Sequence, residues 1–139
     1  MERDPEYPAD IVYEDDAVIA FLDKYPRLVG WILVAPRVHR EQVTGDLSIE
    51  EYLALQRRLY GISEAARQEL GVERVNLLAL GSNQGNSHVH WHVIPLPPGV
   101  PYREQQLGVF RQGILRIPEG YRVALAARIR RQIAQMGIL

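Results

Sequence analysis

Residues 88–95 read His-Val-His-Trp-His-Val-Ile-Pro, and this alternation of imidazole with apolar side chain constrains the chain more than any other feature. A period of two belongs to an extended strand, where residues i, i+2 and i+4 share one face. Val89, Trp91 and Val93 then point to the opposite face, which needs a core. His88, His90 and His92 are three of the four histidines in the sequence. Imidazole suits proton transfer, nucleophilic attack or metal binding near neutral pH. At roughly 3.3 Å of rise per residue, the first and third histidines stand about 13 Å apart along the backbone.

The flanking sequence supplies a sheet for such a strand. Residues 11–13, 17–22 and 30–36 are short β-rich runs separated by turn residues, and they read as an antiparallel meander. Ser48, with Glu51 three residues on, is a capping box. Ile49, Tyr52, Leu53, Leu59, Tyr60, Ala66 and Leu70 then recur near helical period, and Gly71 is a natural stop. One long helix over 48–70 is expected. Residues 75–80 form a fourth strand. The polar loop 81–87 joins it to a fifth, residues 88–95, as a hairpin. The proline-rich stretch 95–101 ends the sheet. Residues 102–117 fit no single element. Residues 119–136 read as a helix with Val123, Ala126, Ala127, Ile129, Ile133 and Met136 as its apolar stripe. The order β-β-β-α-β-β-α defines an α+β fold with an antiparallel sheet, in one domain over residues 1–139.

Composition narrows the function classes. With no cysteine among 139 residues, disulfides and thiolate metal sites are excluded. No apolar run approaches the roughly 18 residues that cross a bilayer. The polar, acidic start of the chain does not resemble a signal peptide, so a cytoplasmic protein without membrane or nucleic-acid partners is expected. Charge is uneven. Residues 1–30 hold eight acids against three bases, and residues 100–139 hold seven arginines against two glutamates. Such asymmetry can join opposite halves of the chain, or attract a phosphate-bearing ligand.

Two chemistries fit the histidine row. In one, a neutral imidazole attacks phosphorus, and its neighbours orient it and assist the leaving group. In the other, the three rings bind zinc and leave a position for water. A 13 Å row is a strain for one ion and natural along a phosphate chain. Loop 81–87 adds uncharged donors from Ser82, Asn83, Asn86 and Ser87, suited to an anionic transition state.

The run His88 to Pro95 resembles the signature of the histidine triad (HIT) family. The likeness extends upstream through Glu14-Asp15, Ala20 to Asp23, Pro26, Gly30, Ile32 to Val34, Pro36 and His39, and covers about residues 8–97. A C-terminal extension and helix, 98–139, follow it. The resemblance implies a HIT-like fold: a five-stranded antiparallel sheet, a long central helix and a C-terminal helix. It implies cofactor-free, metal-free hydrolysis or transfer of nucleotidyl groups at the α-phosphate of nucleoside phosphoramidates, dinucleoside polyphosphates or related conjugates. The expected ligand is a purine nucleotide or its conjugate. His90 corresponds to the nucleophile, His92 to the residue that contacts phosphate and assists departure, and His88 to the one that orients His90, partly through its carbonyl. Asp23 corresponds to a ribose-binding residue, and Phe21 and Ile11 to the wall of the base pocket. A homodimer is implied, with 96–117 reaching the partner's site and Trp91 packing there. A zinc hydrolase and a non-catalytic nucleotide-binding protein are the alternatives.

The chain departs from the family pattern at two places. Gly30-Trp31 stands where a Gly-His pair commonly opens the third strand, and His39 follows eight residues later. The loop before His88 is short, and Gly85-Asn86-Ser87 is its nearest match to the family's Gly-Gln-Ser/Thr element.

Overall fold

The computed structural model describes residues 10–139. The acidic positions of residues 1–9 lie outside the described residues. Strands β1 (Ile11–Glu14), β2 (Val18–Leu22) and β3 (Ile32–Pro36) are followed by helix α1 (Ile49–Leu70), strands β4 (Arg74–Ala79) and β5 (Trp91–Leu96), and helix α2 (Glu119–Met136). All strand pairs are antiparallel, in the order β1-β2-β3-β5-β4. This is the expected α+β architecture.

Local chemistry fixes the turns. Asp15 accepts the backbone N–H groups of Ala17 and Val18 at 2.8 and 2.9 Å, closing the β1–β2 connection. Gly30 turns the chain into β3 at φ +86, where a side chain would also strike Leu70. The capping box at Ser48 forms in full, and Gly71 ends α1 in the left-handed conformation at φ 63.

One face of the sheet is covered by both helices. Val18, Ala20, Leu22, Ile32, Val34, Val89, Trp91 and Val93 pack there against Leu55, Leu59, Ile62, Leu125, Ile129 and Ile133. The alternation read from residues 89–93 is therefore real. The stripe expected on α1 is corrected in part. Ile49, Leu53 and Tyr60 are 74%, 60% and 63% exposed, while Leu55, Leu59, Ile62, Ala65 and Ala66 face the core. The helix carries two apolar stripes, and periodicity alone cannot say which one meets the sheet. On α2, Leu125 joins the buried stripe.

Strand β5 is shorter than residues 88–95. It begins at Trp91, because β3 pairs with it only from Ile32↔Val93 to Val34↔Trp91, and β4 reaches no further than Ala79↔Trp91. His88 and His90 lie in the segment leading into the strand, held by a 2.6 Å hydrogen bond from Val89 N–H to the Arg40 carbonyl.

The second face carries a smaller cluster of Leu28, Trp31, Ile94, Leu96 and Val109, with Leu33, Leu78 and Phe110 against it. The extension that sequence left unassigned folds onto this face as two 3₁₀ turns, Tyr102–Glu104 and Gln106–Arg111. Leu115 N–H bonds the Pro26 carbonyl at 2.7 Å, and Arg27 donates to the Gln112 carbonyl. Trp91 does not pack with this extension, because alternation commits it to the helix-covered face. Charge asymmetry is used within the chain: Arg122 of α2 meets Asp10 at 2.6 Å, both largely buried.

Candidate active site

A single register row crosses the whole sheet on the face away from the helices. Ile11 pairs with Phe21, Phe21 with Leu33, Leu33 with His92, and His92 with Leu78. Paired residues of neighbouring strands share a face. Three candidate residues thus fall on one line, with Phe21 two strand spacings, about 10 Å, from His92. Phe21 is half-buried, and Ile11 is buried. Asp23 and Trp31 extend the same face, joined by a 2.8 Å bond from Asp23 N–H to the Trp31 carbonyl.

His90 is buried at 3% exposure. Its Nδ1 lies 3.0 Å from the His88 carbonyl oxygen. A carbonyl only accepts, so Nδ1 carries a hydrogen, and in the neutral ring Nε2 keeps its lone pair. The His90 and His92 rings stand edge to face at 5.1 Å.

His88 departs from the expected row. Its Nδ1 accepts Arg40 N–H at 3.2 Å, its Nε2 lies 2.8 Å from the Pro36 carbonyl, and its ring stacks on His39 at 5.0 Å. The side chain is bound to the β3–α1 connection, and its carbonyl is what meets His90. Burial pushes the His88 imidazole below its ordinary range. His39, noted in the sequence for its spacing, stacks on this ring.

His92 is held by residues far away in sequence. The Trp31 indole donates to His92 Nδ1 at 2.9 Å. Trp31 and Phe110 lie edge-on to its ring at 5.6 and 5.5 Å, and 5.4 Å from each other. Burial first, then the nearby His90, pull its pKa down to about 4, so the ring is neutral at physiological pH. Sequence reasoning did not find Phe110. Asp23 is pushed the other way: burial raises its pKa, partly offset by the Tyr25 N–H at 2.9 Å, Arg27 and His90. A carboxylate short of partners favours a ligand that donates to it.

Asn83 and Asn86 are exposed and Ser87 is half-buried. Ser82 and Gly85 form an isolated bridge, and Asn86 adopts φ 54. This turn runs directly into His88. Among the described residues no three His, Asp or Glu side chains converge as a metal-binding group, and no helix is long and apolar enough to cross a membrane.

The sheet thus brings buried His90 beside His92, which lies on the face away from the helices. The pattern of the HIT domain matches residues 4–98, and the chain belongs to the HIT domain family. A purine nucleoside phosphoramidase of Escherichia coli (strain K12) is 33% identical over 105 residues, covering 70% of this chain and 87% of that protein. An uncharacterized HIT-like protein of Borreliella burgdorferi is 35% identical over 94 residues, covering 65% of this chain and 68% of its own length. A hypothetical histidine triad nucleotide-binding protein from Sulfolobus tokodaii superposes with a TM-score of 0.74 at 26% identity, covering 91% of this chain and 85% of that one. A zinc-bound histidine triad family protein from Mycobacterium smegmatis gives 0.67 at 26% identity, covering 93% and 86%. The family includes nucleotide-binding proteins and hydrolases.

Proposed function

We propose that this protein hydrolyses or transfers nucleotidyl groups at the α-phosphate of nucleotide conjugates, with His90 as the nucleophile. The observation that carries this reading is the 3.0 Å contact between His90 Nδ1 and the His88 carbonyl, which in the neutral ring directs the free lone pair to Nε2. The Nε2 lone pair attacks the α-phosphorus, a P–N bond forms, and the leaving group departs. Water or another acceptor then attacks phosphorus and releases His90. His92 donates from Nε2 to the phosphate. Asp23 receives the ribose hydroxyls, and Phe21 with Ile11 covers the base. Asn83, Asn86 and Ser87 supply donors to the phosphate.

The relative named purine nucleoside phosphoramidase supports a purine nucleotide conjugate as ligand. The exposed α1 stripe of Ile49, Leu53 and Tyr60, together with β4 as an edge strand, supports a second copy of the chain as partner.

Acid-free quenching with a panel of adenosine conjugates, followed by intact-mass and peptide analysis, tests the proposal. An adenylyl group on His90, absent from His90→Asn, is the expected result. Full turnover by His90→Asn overturns it. Stoichiometric metal with complete loss of activity on chelation favours the zinc reading, and tight binding without turnover favours a binding protein.

A further inference from the structure

We propose that Trp31 is a positioning residue that holds the proton of neutral His92 on Nε2, and thereby selects conjugates whose leaving group departs as a stable oxyanion. The class is nucleotidyl anhydrides, either phosphoanhydrides or acyl phosphates, in preference to phosphoramidates. The proposal rests on nucleotidyl transfer through His90.

The geometry carries it. Indole nitrogen is a donor only. At 2.9 Å from Trp31 Nε1, His92 Nδ1 must present a lone pair, so a neutral ring carries its hydrogen on Nε2. Protonating Nδ1 would set two N–H groups against each other. Leu33 and Leu78 flank the ring in register, and the edges of Trp31 and Phe110 close around it. His90 is the titratable group against it, and a charge on either ring disfavours a charge on the other. The Asp23 carboxyl interacts with His90, not with this ring.

A neutral imidazole can donate a hydrogen bond from Nε2 to a phosphoryl oxygen. It is far too weak an acid to give up that proton. An amine leaving a phosphoramidate needs one as the P–N bond breaks. An anhydride oxygen does not: the His90 Nε2 pair forms the new P–N bond, the P–O pair leaves with oxygen, and a phosphate or carboxylate anion departs. Water then attacks phosphorus, the P–N pair returns to Nε2, and the water proton passes to solvent.

The test is a leaving-group comparison with wild-type protein. Diadenosine tetraphosphate and acetyl adenylate are compared with adenosine 5′-phosphoramidate. A missing general acid is worth about a hundredfold, so kcat/KM for at least one anhydride should exceed that for the amide by that factor. The two anhydrides distinguish phosphate from carboxylate leaving groups. Trp31→His offers a ring that can share a proton, and should narrow the gap about tenfold by raising amide turnover. Equal or faster turnover of the amide by wild type overturns the proposal. Trp31 is buried, so a measurement without substitution is needed as well. In ¹⁵N-labelled wild type, His92 should show a bare Nδ1 and a protonated Nε2 at about pH 6, where a free histidine is largely charged. An imidazolium signal there overturns the proposal. If adenylyl-His90 forms equally fast from amide and anhydride, the inference about Trp31 fails and the function stands. If no conjugate yields an adduct, both fail.

Discussion

His88 meets His90 through its backbone, with the carbonyl oxygen of the first 3.0 Å from Nδ1 of the second. Orientation of the His90 ring therefore does not depend directly on the His88 side chain. The ring serves one step removed, through the Pro36 carbonyl, Arg40 N–H and the stack on His39. His88→Ala should lower kcat by about ten- to a hundredfold through a looser carbonyl, yet still form the adduct on His90. Loss of the adduct in this variant would contradict the division between carbonyl and ring.

His92 makes the fold sensitive to mild acid. Its folded pKa of about 4 lies below the ordinary 6.5, so the unfolded chain takes up the proton first. The stabilising effect is full above pH 6.5 and is lost as pH falls toward about 4. His92→Gln lacks this titration. The melting temperature of wild type should therefore fall relative to His92→Gln by a few degrees, about 2–5 °C, between pH 7 and 4.5. Parallel melting curves across that range would show that the ring is not held neutral.

Asp15 acts in the opposite part of the scale. Burial alone would raise its pKa, but Arg58 at 2.6 Å, the Tyr13 hydroxyl and the N–H groups of Val18 and Ala17 outweigh it and hold the carboxyl at about 2. Its contribution is complete above the ordinary 3.8 and is lost as pH falls through about 2. Asp15→Asn should cost about 1–3 kcal/mol in denaturant melts at pH 7, and less at pH 3.

Asp23 costs the fold stability in its charged form, and the proposed ribose contact gives that cost a use. Its raised pKa means that the folded state resists the charged form, so the carboxylate costs stability at neutral pH and the cost fades as pH falls. Asp23→Asn keeps an acceptor for the Tyr25 N–H. This variant should melt about 1–3 °C higher at pH 7 and bind adenosine nucleotides about tenfold more weakly by calorimetry. Unchanged affinity would remove Asp23 from the ribose site.

Local rules were enough for much of this. The Ser48–Glu51 box, Gly71 and the alternation of Val89, Trp91 and Val93 act within a few residues, and each appears where the sequence predicts it. The register row from Ile11 to His92 needed only a correct strand order. What sequence could not supply is long-range. Trp31 stood out only as a departure from a pattern; its bond to His92 spans 61 positions. Phe110 lies in a segment without regular period, so nothing marked it as a neighbour of the site. The choice between two apolar stripes on α1 depends on which face the sheet offers. His88 left the strand because β3 and β4 both stop pairing at Trp91, a tertiary limit that alternation does not encode.

The account turns on His90 Nε2 as a nucleophile toward phosphorus. The direct measurement is millisecond quenching of wild-type protein with ¹⁴C-labelled diadenosine tetraphosphate, followed by peptide mapping under neutral conditions. Labelled adenylate on the peptide containing His90, appearing and decaying at rates consistent with turnover, is the predicted result. Steady turnover with no adduct at any quench time, or an adduct that persists unchanged in His90→Asn, would contradict it.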